Sequence, residues 1–200
     1  LVFLRPLGLR LTGDGYRLAM QAGHTIKEVK PALVPFVIQE EWCRQLQGLS
    51  LKNISCLIKK DKKKIYEGFG EMLFTHFGVS GPLMLSASSF YVKKYRGEEV
   101  QLFVDLKPAL TKEQLDARIL RDFDKNTNKQ FKNALDELLP AKMIPVILGL
   151  SGVPVEKRVN EITREERSRL VELLKNLTLT ITGTRGFSCH LRHRNCFRKG

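Results

Sequence analysis

The sequence predicts an α+β protein in which a block of helices is inserted into a mainly antiparallel β unit. Apolar and polar residues alternate through much of 27–107, as they do along half-buried strands. Over about residues 110–175 the apolar spacing becomes that of amphipathic helices, and strand alternation returns at 177–182. The short segments at both ends look like edges of another domain, so the chain has the organisation of a module inserted into a larger host.

A β-hairpin with a basic tip is the clearest element of the β unit. Apolar residues alternate over 51–58 and again over 65–74, on either side of the lysine-rich loop 60–63. The basic run 59–64 could meet nucleic acid. A solvated hairpin turn is favoured, because no aromatic residues interleave with the lysines as single-strand binding requires.

Two capping boxes predict where helices of the inserted block begin. Thr111 is followed three residues later by Gln114, and Thr163 by Glu166, so each pair can satisfy the first backbone N–H groups of a helix. Two more helices are expected between them, the second ending at Gly152. Their apolar positions are Phe131, Ala134, Leu135 and Leu138, then Met143, Ile144, Val146, Ile147 and Leu150.

The stretch 69–82, FGEMLFTHFGVSGP, combines glycines, a histidine and a helix start more densely than any other part of the chain. It predicts a strand, a tight turn and a helix, with Ser80 as the N-cap and Pro82 in the first turn. Such a turn can present backbone N–H groups to an anion or ligand. His76 is then a candidate acid, base or substrate contact. The alternative is a structural joint in which a hydrogen-bonded His76 pins the strand to the turn.

A second glycine-containing helix start lies at 12–16, TGDGY, with Gly23 predicted to end the helix. It could also present N–H groups to a phosphate, although a plain N-cap and turn is the favoured interpretation.

Hydrolase and zinc chemistry are both disfavoured. Gly78-Val79-Ser80-Gly81 resembles a nucleophile elbow, but its second glycine comes one residue early and Pro82 takes the expected place. The tail CHLRHRNC at 189–196 holds two cysteines and two histidines. Adjacent Cys189 and His190 side chains diverge and the segment is strongly basic, so no metal site is predicted.

Composition limits the remaining classes. The net charge of +13 includes +2 from residues 1–11 and +4 from 188–200, which leaves +7 spread over mixed-charge surfaces, so a nucleic-acid partner is not favoured. The spacing of the four cysteines is not that of a disulfide framework, which suggests a reducing cytoplasm. No run of eighteen apolar residues exists, so no membrane span is expected, and the missing initiator methionine suggests a fragment.

Several ungapped blocks then resemble one family in order and spacing over about 12–187. They are TGDGYRLAMQAGHTI, KPALVPF, LQGLSLKN, GEMLFTHFGVSGPLML, DLKPALTKEQLDARI, LLPAKMIPVIL and the strand that ends TGTRGF. These blocks are similar to bacterial BaiN-like, aminoacetone-oxidase-like FAD-dependent oxidoreductases.

The resemblance implies a split Rossmann-like FAD domain whose insertion, a small β-barrel-like unit with a helical bundle, covers the flavin. The implied domains are a FAD-domain remnant at 1–26, the barrel-like insert at 27–107, the helical subdomain at 108–176, a return strand at 177–187 and an atypical basic tail at 188–200. Implied partners are FAD, a small-molecule substrate and NAD(P)H as electron donor. The implied cofactor-facing residues are Thr12, Gly13, Asp14, Gly15, Thr75, Gly78, Ser80 and Gly81, with His76 as the candidate catalytic residue.

The two ends depart from the family. The glycine-rich fingerprint that holds the ADP pyrophosphate is not found in the sequence, so the chain alone is expected not to hold FAD firmly and to be inactive. Residues 1–11 and 188–200 do not resemble the family's segments at these places. One hypothesis is that both arise from out-of-frame translation. A standalone basic nucleic-acid-binding module is the alternative function.

Overall fold

Six antiparallel strands close into a barrel in the computed structural model, which describes residues 14–26, 32–125 and 129–185. Around the barrel the order is β1-β4-β3-β2-β5-β6, and β6 pairs with β1 to close it. The α+β class predicted from the sequence is confirmed. The strands are β1 (Phe36–Ile38), β2 (Ser50–Lys60), β3 (Lys63–Thr75), β4 (Gly78–Ser80), β5 (Val100–Asp105) and β6 (Leu177–Thr184).

The barrel interior follows from alternation along the strands. In β5, Val100, Leu102 and Val104 are buried while the residues between them are half-buried on the opposite side. The same period of two holds along β6, because successive side chains of a strand point to opposite faces. Burial of these aliphatic side chains is the main stabilising contribution to such a core.

The predicted hairpin is present as β2 and β3. Lys60 pairs with Lys63, and Asp61 at the tip has φ 51°, a left-handed conformation that aspartate tolerates better than most residues. The register shifts between Ile58 and Lys59, so a bulge bends the end of the hairpin.

The last strand belongs to the barrel. The sequence separates residues 177–187, as a return strand, from the unit 27–107. In the structure β6 pairs with β5 from Val100↔Ile181 to Val104↔Leu177, and with β1 at Phe36↔Thr184. The barrel therefore draws on both segments, and a boundary after residue 107 divides the sequence but not the barrel.

Helix α2 (Pro82–Lys94) packs against β3 and β4. Its Tyr91 is fully buried, meets the Phe36 ring edge-on at 5.5 Å between centroids, and donates its hydroxyl to the Glu98 carbonyl at 2.8 Å. This polar partner lets a tyrosine occupy the core.

The inserted segment holds α3 (Lys112–Asp124), α4 (Ile144–Ser151) and α5 (Arg164–Lys175). Both capping boxes are confirmed: Thr111 accepts from the Gln114 N–H and Thr163 from the Glu166 N–H, each at 3.2 Å. Gly152 follows α4 at φ 67°, as expected of a C-terminal glycine.

The helix predicted over 131–138 is wrong. Only a 3-10 turn, Phe131–Asn133, forms there. The Phe131 N–H donates to the Lys157 carbonyl at 2.9 Å, and the Val159 N–H donates to the Lys129 carbonyl at 3.1 Å. This long-range pairing occupies backbone groups at the start of the segment, so tertiary contacts override the helical spacing.

Residues 1–30 form a separate unit from residues 31–200. Its described part contains α1 (Asp14–Gln21), and Gly23 at φ 85° ends this helix as predicted. Within the described residues, no helix is both long and apolar enough to cross a membrane.

Candidate functional site

The glycine-rich stretch is part of the barrel wall. β3 continues to Thr75, two residues turn, and a short strand, β4, begins at Gly78, where the sequence predicted no strand. Gly78 pairs with Val37 of β1 and with Thr75 of β3. The predicted tight turn is therefore present, but it connects two paired strands before the helix begins.

Gly78 is required by the close approach of β1. A Cβ atom at this position would lie 2.4 Å from the Phe36 carbonyl oxygen and 2.8 Å from the Ile38 nitrogen. Real Cβ atoms essentially never come that close to backbone atoms. Its φ of 153° also favours glycine. The residue thus serves strand packing.

Ser80 is not the N-cap of α2, as the sequence predicted. Ser80 is half-buried within β4, opposite Leu73, and Gly81 occupies the N-cap at φ 97° without a side-chain cap. A Cβ at Gly81 would lie 3.0 Å from both the Glu71 carbonyl oxygen and the Leu73 nitrogen. The chain must pass close to β3 here, and strand pairing carries Ser80 away from the helix start.

The side chains of the turn form a partly buried hydrogen bond and a separate cluster around the exposed His76. Thr75 donates its hydroxyl to the Gly78 carbonyl at 3.1 Å, which holds the turn closed. His76 is exposed, and its ring meets the Phe77 ring edge-on at 4.8 Å between centroids. The Arg185 guanidinium lies 4.4 Å from the centroid of Phe77. We call His76, Phe77 and Arg185 the His76 cluster.

Phe77 and Arg185 could not be selected from the sequence, because they are more than a hundred residues apart in the chain. The Ile38 N–H donates to the Phe77 carbonyl at 3.1 Å, and the Arg185 N–H donates to the Pro35 carbonyl at 2.9 Å. Backbone hydrogen bonds therefore hold Phe77 to β1 and Arg185 to the residue just before β1. Cation–aromatic contacts of this kind contribute roughly 0.5–1 kcal/mol at exposed sites.

The second set of predicted residues lies in the other unit. Asp14 begins α1 and pairs with Arg17 at 3.1 Å, with both side chains more than half exposed. A Cβ at Gly15 would meet no other atom within 4 Å. Thr12 and Gly13 lie outside the described residues.

The two thiols among the described residues are poor nucleophiles. Cys43 and Cys56 are buried, and burial raises the pKa of each thiol to about 12. The thiolate is the reactive form, so little of it exists near neutral pH. Within the described ranges, no group of three or more His, Cys, Asp or Glu residues could hold a metal ion, and the 189–196 tail lies outside them.

An open groove of about 510 Å³ between α3 and α5 was missed by the sequence interpretation. Its walls include Lys112, which pairs with Glu172, and Asp116, which accepts two hydrogen bonds from Arg167 at 2.6 and 3.1 Å. Three of the charged wall residues, Lys112, Asp116 and Glu172, are thus already paired, so the groove is less suited to a ligand.

Comparison with known proteins gives a family match and several relatives. The model of the HI0933-like protein barrel and H2TH domain matches residues 30–189. The chain is 29% identical over 177 residues to a 3-dehydro-bile acid delta(4,6)-reductase of Clostridium scindens, which covers 88% of the chain and 43% of the reductase. It is 25% and 27% identical to ribosomal RNA dihydrouridine synthases of Escherichia coli and Haemophilus influenzae, covering 90% of the chain and 42% of each synthase. The chain therefore spans about two fifths of the length of these relatives.

Proposed function

The chain belongs to the family of the HI0933-like protein barrel and H2TH domain, and we propose that it is the insertion region of an NAD(P)/FAD-dependent oxidoreductase. In this proposal the barrel and the helical segment cover the flavin and substrate pocket of the complete protein. One relative is named as a reductase, and all three extend well beyond the matched segment, which supports an origin in a longer enzyme.

The observation that carries the proposal is the closeness of the two ends of the barrel. β1 and β6 pair at Phe36↔Thr184, and the Arg185 N–H bonds to the Pro35 carbonyl at 2.9 Å. The polypeptide therefore enters and leaves the barrel at neighbouring positions. Adjacent ends allow a domain to be inserted into a host with little disturbance of either. The His76 cluster includes Arg185 at this exit, which favours it as the part of the barrel nearest the host domain.

The glycines of the β3–β4–α2 turn do not fit a direct role in holding FAD. A dinucleotide pyrophosphate is usually bound by free backbone N–H groups of a glycine-rich turn at a helix N-terminus. Gly78 and Gly81 instead pack against strand backbone. We assign to the shaping of the turn the residues Thr75, Gly78, Ser80 and Gly81. His76 and Arg185 are assigned to contacts across the flavin and substrate pocket of the complete protein. The site for the pyrophosphate would lie outside this chain.

Flavin content tests the proposal. The complete protein that contains this chain should purify with bound FAD and oxidise NAD(P)H, whereas the 200-residue chain should not retain FAD after gel filtration. A complete protein whose residues 36–184 are replaced by a short Gly-Ser linker should keep FAD and lose turnover. Stoichiometric FAD on the 200-residue chain would contradict the expected position of the pyrophosphate site. A complete protein without flavin would overturn the oxidoreductase assignment.

RNA is a second candidate, as a substrate of the same enzyme. Two of the relatives are named for a reaction on ribosomal RNA, and the barrel carries a lysine-rich hairpin with exposed Lys62, Lys63 and Lys64. Binding of a labelled single-stranded RNA that weakens steeply with salt would support this candidate, since released counterions make phosphate contacts salt-dependent.

A further inference from the structure

The outer side of the barrel carries an apolar strip that crosses three neighbouring strands. Phe69 of β3 lies opposite Ser55 of β2, and two residues further along β2, Leu57 lies opposite Phe103 of β5. Alternation places Leu57, Phe69 and Phe103 on one side of the sheet, where the exposed Glu67 also lies, opposite Leu57. We call these three residues the outer face. The Phe69 side chain is 63% exposed, and Leu57 and Phe103 are half-buried.

Lysines lie beside this strip. Lys59 follows Leu57 by two residues and therefore shares its side of β2, and its Nζ lies 5.8 Å from the centroid of the Phe103 ring. Lys62 and Lys63 are exposed at the hairpin tip beyond it. Among the described residues, carboxylates form ion pairs with Lys60 and Lys64. No carboxylate in the described ranges lies within ion-pair distance of Lys59, Lys62 or Lys63, although the charge of Lys59 acts on Glu67. These three charges remain available to a polyanion.

In the sequence, the basic run 59–64 lacks the aromatic residues that single-strand binding requires, but the folded sheet supplies them from elsewhere in the barrel. No aromatic residue stands between the lysines of 59–64, but sheet pairing brings Phe103 of β5 to Lys59. It also places Phe69 of β3 on the same side of the sheet, opposite Ser55. A single strand needs aromatic rings for its bases and cations for its phosphates, and the three strands supply both.

We propose that the outer face binds single-stranded RNA, with bases stacking on Phe69 and Phe103 and phosphates on Lys59, Lys62 and Lys63. Strand spacing and rise place the two phenylalanine Cα atoms roughly 12 Å apart, far more than the ~3.4 Å between stacked bases, so the rings would receive bases that are not adjacent. The choice of RNA rests on the second candidate above. The flavin proposal does not depend on it.

Fluorescence anisotropy of the full 200-residue chain with a short fluorescein-labelled oligouridylate tests the surface. Phe69→Ser should weaken binding roughly tenfold, in line with the loss of one stacked base. Phe90→Ser is the matched control, because Phe90 is also an exposed aromatic residue but lies on α2, beside Tyr66. The control should bind like the wild type.

The lysines are tested through the salt dependence. Lys62→Gln with Lys63→Gln should lower the slope of log affinity against log salt by about 1.4, near 0.7 for each single-strand phosphate contact. Lys93→Gln with Lys94→Gln, at the end of α2, removes the same charge elsewhere and should change the slope much less. A third variant of the full chain replaces Arg192, Arg194, Arg198 and Lys199 with glutamine to measure any contribution of the tail.

The outcomes separate the surface from the candidate substrate. Wild-type binding with losses confined to the Phe69 and hairpin variants would support the proposal. Binding that survives these changes and disappears with the tail variant would overturn the surface while leaving RNA as a candidate. No salt-dependent binding by the wild type would overturn both, and equal affinity for DNA of the same sequence would overturn the choice of RNA. Flavin content of the complete protein is measured separately and decides the oxidoreductase proposal alone.

Discussion

The turn between β3 and α2 is conspicuous in the sequence but is explained by packing, whereas the outer face of the same barrel is visible only in the structure. The turn concentrates glycine, serine, threonine and histidine within a few residues, yet its glycines fit against the backbones of β1 and β3. The outer face has no motif, yet strand register gathers Leu57, Phe69 and Phe103 on one side of the sheet, with Lys59 over the Phe103 ring.

The difference shows what a dense motif can and cannot indicate. Glycines at positive φ report a backbone requirement, which can come from a ligand or from a neighbouring strand. Here the nearest atoms to Gly78 belong to Phe36 and Ile38, so the requirement comes from the barrel itself. A binding surface on a sheet instead depends on residues paired across strands, and a linear motif cannot display it.

Gly78→Ala should give the largest effect, because the new methyl group meets the Phe36 carbonyl oxygen and the Ile38 nitrogen. We expect a loss of about 3–5 kcal/mol in the free energy of unfolding, from overpacking plus the unfavourable φ. Gly97→Ala is the matched control, since its φ is 84° but no atom lies within 4 Å of the added Cβ. It should lose only about 1–2 kcal/mol in urea denaturation. Equal losses would show that strand packing is not what requires Gly78.

Thr75→Val should cost about 1–2 kcal/mol, because it removes the hydroxyl that donates to the buried Gly78 carbonyl at 3.1 Å. The neighbouring His76→Ala should change stability by no more than about 0.5 kcal/mol, since His76 is exposed. The two variants, compared by thermal and urea unfolding, separate the residue that closes the turn from the residue that faces outward. A large loss for His76→Ala would make histidine a structural pin, the alternative left open by the sequence.

Much of the fold could be predicted because its signals are local. Thr111 and Thr163 each begin a helix through contacts within four residues, and Gly152 ends one in the same way. The hairpin follows equally from alternation around a polar tip. Predictions failed where the backbone hydrogen-bonds to a segment distant in the sequence. At 131–138, Lys129 and Phe131 pair with the chain near residue 158, and Ser80 pairs with β3 as part of β4 and so cannot cap α2.

The candidate site was less predictable for the same reason. The sequence drew attention to His76, but Phe77 and Arg185 complete its cluster only after β1 and β6 have paired. The outer face likewise requires the register of three strands. Asp14 and Gly15 can be located on α1, whereas their role at the cofactor remains a prediction.

Glu67 offers a smaller test of the electrostatics on the hairpin. The hydrogen bond from Lys64, at 2.8 Å, and the Lys64 charge hold the pKa of the Glu67 carboxyl below its ordinary value. Because the folded-state pKa is lowered, the pair favours folding above the ordinary carboxyl pKa, and this contribution is lost as pH falls through the folded-state value. Lys64→Gln should move the Glu67 pKa back towards the ordinary range in an NMR titration.

The control for this titration is Lys62→Gln, which removes the same charge from the tip without removing the hydrogen bond. It should leave the Glu67 pKa nearly where it is in the wild type. An equal shift in both variants would mean that the general field of the hairpin, and not the specific pair, sets the pKa. In that case Lys64 would count among the charges available to RNA.

Phe69→Ser should have the smallest effect on stability, within about 0.5 kcal/mol of the wild type, because the side chain is 63% exposed in the folded state. Replacing an exposed phenylalanine removes little burial, so an effect on binding without an effect on unfolding would assign the ring to a partner. A loss above about 1 kcal/mol in urea denaturation would show that Phe69 is packed in solution and cannot receive a base. The stability of this variant therefore decides whether a fall in RNA affinity can be attributed to lost stacking. It distinguishes a binding face from a solvated hairpin more directly than the lysine variants at the tip do.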